Sequence, residues 1–467
     1  MAATAVTGPA ELDALADSAW WTGHVDEAVA ARLRAHAAYV AAHDPRGAGR
    51  TAWWLAAEYR RLGRPAAASG WLHRARHHLE GSPDCPEQCL LAWSDIADAE
   101  EHHAPAAARR AARRMTRLAA RSGSPELLAQ ARQAESAVLL AQGRRSEALP
   151  LLDAAMAAVT AGRLNALATG RLYDLALGEC LRAGELERAT AWAEAATAWC
   201  AAFPDNPFRA PCRMHHVEVL DLLGDWARAE EEARLVCQEV LPDSLDRAAA
   251  ASYTVGEIQR RRGRQADAAR SYAHAHALGR VPQPGLALLR LAQGRPDAAL
   301  AGLRLALDCQ SDPAHDRLGR ARLLAALVET ALATGDHTTA GRAAAELARA
   351  PDTPLLAALS ATADGSLALA RGAGAREPLR RALVLWRELR IPYEAARTHL
   401  LLAAAERAAG ADAAARRERD AARTTFGRLG ADPAPRPAAA LPGRAESRRW
   451  AAGQDPPRRT APAATAE

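Results

Sequence analysis

A glycine followed five residues later by an alanine returns along this chain about every forty residues. The pattern starts at Gly23, Gly63, Gly143, Gly184, Gly224, Gly263, Gly294, Gly335 and Gly410. Gly372 keeps the phase with Glu377 in the alanine position, and His103 stands midway between Gly63 and Gly143 in a degenerate copy. The intervals run 40, 40, 40, 41, 40, 39, 31, 41, 37 and 38 residues. A fixed period of this length marks a repeat architecture, in which units stack because none can bury its apolar face alone.

Each period reads as a helical hairpin. Glycine takes the left-handed conformation that ends a first helix without a Cβ clash. Acidic and hydroxyl residues after it cap and charge the start of a second helix. Pro65 and Pro296 fall in that first turn, where a missing N–H costs nothing. The alanine lets the two helices approach closely, and Leu, Trp and Tyr at helical spacing fill the layers between hairpins. Composition agrees: hydrophobic residues make up 49% but aromatics only 4%, which suits helices and starves a sheet of the residues it favours. The expectation is an all-α, right-handed solenoid of about ten to eleven hairpins. It spans residues 11–430, between a flexible N-terminus at 1–10 and a disordered Pro/Ala/Arg-rich tail at 431–467. The short interval, with Gly279-Arg-Val-Pro-Gln-Pro-Gly285 inside it, predicts a shortened first helix, a change of curvature and a joint at 279–285.

Several function classes are excluded outright. The 60 basic residues are all Arg, so a P-loop, a Schiff-base lysine and the S-x-x-K hydrolases are ruled out. No H-E-x-x-H or G-x-S-x-G occurs, and the carboxylates are scattered along amphipathic helices, so the chain is not expected to be an enzyme or to carry a cofactor. A net charge of +5 is too balanced for a nucleic-acid footprint. No signal peptide and no uncharged apolar run of about 18 residues is found, which predicts a cytoplasmic, non-membrane protein with reduced cysteines.

The glycine-to-alanine spacing and the apolar residues before the glycine resemble the tetratricopeptide repeat, lengthened from about 34 residues. A more specific resemblance runs through Pro282-Gln-Pro-Gly-Leu-Ala-Leu-Leu-Arg-Leu-Ala-Gln-Gly-Arg295. It is supported by Gly70-Trp-Leu72, Leu79-Glu-Gly81, Met156 to Gly162, Pro207-Phe-Arg209 with Cys212 and His215, Gly224-Asp-Trp226, and Pro392-Tyr-Glu-Ala-Ala-Arg397. These stretches look like LuxR-type transcriptional regulators of actinobacterial kind, in which a tetratricopeptide-like region precedes a C-terminal helix-turn-helix. The resemblance covers roughly residues 11–430. It implies an array that senses a small-molecule effector or binds a protein or peptide partner in a cytoplasmic regulator. Residues 431–467 depart from the family: no helix-turn-helix can be read there, as a lost or frameshifted one would leave it. The chain as given is therefore expected not to bind a promoter specifically. The alternative is a stand-alone tetratricopeptide scaffold or adaptor that never bound DNA.

Four residues after a Pro-rich break, Arg209, Cys212, His215 and Glu218, are candidates for a ligand or peptide site on a concave surface; packing of Cys212 and His215 between hairpins is the equal alternative. His73, His77, Cys85 and Cys89 have ligand types that suit zinc, but buried cysteines with solvated histidines are the preferred reading, and no metal is expected. Arg109, Arg110, Arg113, Arg114, Arg117 and Arg121 form a basic stripe best read as a solvated helix face.

Overall fold

The computed structural model describes residues 8–203, 206–241, 244–310, 316–349 and 353–432. Residues 1–7 and 433–467, which hold most of the expected flexible N-terminus and of the expected disordered tail, lie outside them. The described residues form twenty-two helices and no strand, and the helices pair into eleven consecutive hairpins.

The first four hairpins are α1 (Pro9–Trp21) with α2 (Val25–Ala41), α3 (Pro45–Arg61) with α4 (Pro65–Leu79), α5 (Gln88–Glu101) with α6 (Pro105–Ser122), and α7 (Pro125–Ala141) with α8 (Arg145–Thr160). The next three are α9 (Ala166–Ala183) with α10 (Leu186–Ala202), α11 (Arg209–Leu223) with α12 (Trp226–Val240), and α13 (Leu245–Arg261) with α14 (Gln265–Ala277). The last four are α15 (Gly285–Ala292) with α16 (Pro296–Asp308), α17 (Arg317–Ala333) with α18 (His337–Leu347), α19 (Pro354–Ala370) with α20 (Arg376–Glu388), and α21 (Pro392–Ala408) with α22 (Asp412–Leu429).

The repeat pattern does the local work assigned to it. Every glycine of the series has positive φ, from +70° at Gly63 to +87° at Gly224, and His103 adopts the same left-handed turn at +50°. The alanines five residues on are buried at the crossing of the two helices, Ala148, Ala189, Ala229, Ala268, Ala299 and Ala340 fully so. In the copy that carries Glu377, the turn is longer and α20 starts at Arg376, so Leu379 becomes the buried residue. The short interval shortens α15 to 8 residues. The segment before it is packed: Arg280 lies over the Tyr253 ring at 4.9 Å, and the Gln283 side chain accepts the Ala287 N–H.

Beyond neighbouring hairpins, the array touches itself at several places five hairpins apart, besides the contact of α9 with α17 four apart. Trp20 and Trp21 at the end of the first hairpin's leading helix lie 5.9 and 6.5 Å from Phe208, which begins the sixth. The turn of the fifth hairpin, at Gly184, abuts Thr353 and Leu355 at the start of the tenth. The turn of the sixth, at Gly224, abuts Pro392 and Leu429 of the eleventh. Past the last hairpin, the Asp432 N–H donates to the Arg261 carbonyl beside the turn of the seventh, at 2.9 Å. Gly184 and Gly224 thus have two reasons to be glycine: a positive φ, and a neighbour that a Cβ would crowd, at 3.0 Å from Thr353 Oγ1 for Gly184 and more tightly, at 2.7 Å from Leu429, for Gly224. Trp226, Tyr393 and Phe426 seal the contact of the sixth and eleventh hairpins, with ring centres 5.4 and 5.9 Å apart. Burying each such ring contributes about 2–3 kcal/mol.

Candidate functional site

Because the eleventh hairpin returns to the sixth, hairpins six to eleven surround a cavity of about 330 Å³. Leading helices α11, α13, α15, α17, α19 and α21 all contribute to its wall.

One side is ionic. Arg261 on α13 reaches Asp221 on α11 at 2.7 Å and Glu257 at 3.1 Å, and Arg260 reaches Glu257 at 2.9 Å. The Tyr272 hydroxyl donates to the same Glu257 carboxylate. Burial opposes charge on Glu257, but Arg260 and Arg261, with hydrogen bonds from Arg260 and Tyr272, hold its carboxyl down to about 2. Asp221 goes the other way: burial and the nearby Glu257 charge outweigh Arg261 and raise it above the usual carboxylate range. Arg397 on α21 pairs with Glu329 on α17 and, at 3.1 Å, with Glu394. Gly285 makes room for this network, since a Cβ there would collide with Glu257 and come within 2.5 Å of the Tyr272 hydroxyl oxygen. Burial and the Glu257 charge push the Tyr253 phenol up, so it keeps its proton at neutral pH.

The opposite side is apolar, with Leu355, Leu359 and Leu369 on α19, Trp386 on α20, and Leu400 and Leu401 on α21. Its hydroxyls are already engaged. Thr362 accepts the Trp386 indole N–H at 2.9 Å and donates to the Ala358 carbonyl, and Ser366 donates to the Thr362 carbonyl.

Of the four nominated residues, Glu218 lines this cavity. His215 is half-buried, with Nε2 3.1 Å from Asp174 Oδ1 on α9. Burial works against the Asp174 charge, yet the hydrogen bond and charge of His215, with Arg247 and Arg182, leave its carboxyl below the usual range. Cys212 is buried among the apolar residues of the fourth to sixth hairpins. Arg209 lies 4.0 Å from Glu239 on α12. The four do not converge on one point.

His73 and His77 are exposed on α4, whereas Cys89 is fully buried against α6, so these ligand types are not brought together. No group of three or more His, Cys, Asp and Glu side chains among the described residues could hold a metal. Part of the arginine stripe on α6 is paired to its surroundings, Arg114 to Asp95 on α5 at 3.4 Å and Arg121 to Asp84 in the loop before α5 at 3.0 Å.

The inner face of the first hairpins is different in kind. The Arg171 guanidinium on α9 lies 5.3 Å from the ring centres of both Trp54 and Trp93. Trp20 stacks near Trp54 and donates to Glu58 at 2.8 Å.

No family model matches the chain, and no curated protein matches it. Several stretches singled out in the sequence meet around the cavity: Pro284 and Leu288 line it, as do Glu394 and Arg397, while Trp226 stacks on Tyr393 just behind. No helix among the described residues is long and apolar enough to cross a membrane.

Proposed function

We propose that this chain is the small-molecule-sensing array of a cytoplasmic transcriptional regulator of LuxR type. The observation that carries the sensing half is the cavity itself. It has the volume of a metabolite pocket and a lining that is ionic on one side and apolar on the other, and the sixth and eleventh hairpins meet beside it. The regulatory half rests on the resemblance of the repeat stretches. Ligand and output are coupled through ring closure: a molecule bound between six leading helices stabilises the closed arrangement over any looser one.

The test is a melting-temperature screen of the purified chain against metabolite fractions, repeated on Leu359→Trp, which fills the cavity from its apolar side. Fractions that raise the melting temperature of the natural chain should leave Leu359→Trp unmoved. Equal shifts in both proteins would place the ligand elsewhere and remove the support for a sensing cavity.

A further inference from the structure

The ion pairs of the cavity leave a remainder. Five guanidiniums line it, from Arg260, Arg261, Arg280, Arg322 and Arg397. Three of them are matched by Asp221, Glu257, Glu329 and Glu394. Arg280 and Arg322 have no carboxylate within 4 Å among the described residues, and the buried Nε of Arg280 has no hydrogen-bond partner. The remaining acid, Glu218, lies near the Arg182 charge towards α9.

The two unmatched guanidiniums share a neighbour. Arg280 lies over the Tyr253 ring, and both Arg280 and Arg322 act electrostatically on the Tyr253 phenol. The Tyr253 oxygen accepts the Gly285 N–H at 3.4 Å, which leaves its own hydrogen free to donate. This end of the cavity therefore offers N–H and O–H donors to a guest, while the hydroxyls of the apolar wall are spent on their own helix and on Trp386. A cation would meet Asp221, Glu257, Glu329 and Glu394 already paired with arginine, and only Glu218, on the α11 side facing Arg182, stands outside those pairs. A neutral apolar guest would leave the partly buried Arg280 facing it without a counter-charge, which is costly where water is excluded, while Arg322 is exposed and reaches the cavity from its rim. An anion satisfies them with charge-assisted hydrogen bonds.

We propose that the cavity binds an amphipathic anion, its carboxylate or phosphate head held by Arg280, Arg322 and the Tyr253 hydroxyl and its apolar body laid against Leu355, Leu359, Leu369 and Trp386. This rests on the sensing reading above and names the chemical class of its ligand.

The experiment is titration calorimetry on the full chain with four ten-carbon probes: decanoate, decyl phosphate, decanol and decylamine. At least one anion should bind about ten-fold tighter than the alcohol and the amine, and the preferred head tells carboxylate from phosphate. Arg280→Gln and Arg322→Gln should each weaken that anion about ten-fold and leave decanol unchanged. The unliganded melting temperature of each variant shows that it is folded, and Arg322, which is exposed and does not lie over the Tyr253 ring as Arg280 does, is the safer of the two. Leu359→Trp should abolish binding of every probe. Decanol or decylamine binding as tightly as both anions, or anion affinity that survives both arginine substitutions, overturns the anion while leaving the sensing cavity in place. Failure of all four probes to bind, or binding that Leu359→Trp does not touch, overturns both.

Discussion

Arg397 on α21 pairs with Glu329 on α17, skipping the tenth hairpin that lies between them in the chain. Leading helices two hairpins apart are thus near enough to exchange hydrogen bonds across the inside of the ring. Both side chains are only about a quarter exposed, so cutting one leaves the other short of its partner. Arg397→Gln should lower unfolding free energy by about 2–4 kcal/mol, read from urea denaturation at neutral pH. A loss under about 0.5 kcal/mol would show that the pair does not tie the ring.

Acid should loosen the same region from the α13 side. Glu257 titrates at about 2 in the folded chain, well below its ordinary 4.5. A depressed carboxyl contributes stability that is complete above the unfolded value and is lost as pH falls from there through the folded one, here between about 4.5 and 2. The amount is about 3 kcal/mol. Asp221, raised by burial, has the opposite sign and offsets part of the loss. Glu257→Gln should therefore destabilise strongly at pH 7 and much less at pH 2. A gap between the two proteins that does not change with pH would remove Glu257 from the acid response.

Two glycines with similar backbones separate strain from contact. Gly224 and Gly410 have φ of +87° and +75°, but a Cβ at Gly224 would lie 2.7 Å from Leu429 and 2.9 Å from Pro392, whereas nothing stands within 4 Å at Gly410. Gly410→Ala should cost about 1–2 kcal/mol, the left-handed penalty alone. Gly224→Ala should cost about 1–3 kcal/mol more, from overpacking at the closure. Equal melting temperatures for the two variants would mean that the sixth and eleventh hairpins do not press together there.

The degenerate copy offers a gain. His103 holds a left-handed turn at φ +50° where the other copies place glycine, and it is exposed. His103→Gly should stabilise the chain by about 0.5–1 kcal/mol, the relieved strain less the added entropy of the unfolded chain. A fall in melting temperature would show that the imidazole does something its exposure hides.

What was legible in the sequence was whatever depends on neighbours a few residues away. Gly63, Gly143 and Gly184 announce helix ends, Ala148 and Ala189 announce close crossings, and the short interval before Gly294 announces a short α15. The meeting of Gly224 with Pro392 was not legible, because it follows from small rotations summed over five hairpins and from no local pattern. The cavity suffered for the same reason. Glu257, Arg260 and Arg261 sit before a helix-ending glycine and read as an ordinary solvated face until the eleventh hairpin is seen to cover them. Of the nominated residues, Glu218 reaches the cavity because it lies on the same inward face of α11 as Asp221. Cys212, one and a half turns earlier, points into the core instead.

Repeat proteins commonly change length in evolution by duplicating or dropping a unit, since each unit answers only to the next one along. The five-hairpin spacing withdraws that freedom here. A unit inserted between the sixth and eleventh hairpins would carry Pro392 and Leu429 past Gly224, and one inserted before the tenth would also carry Thr353 and Leu355 past Gly184. Single residues of such a chain can be exchanged one at a time, but a repeat inside the closed stretch cannot be added or removed without unmaking these contacts.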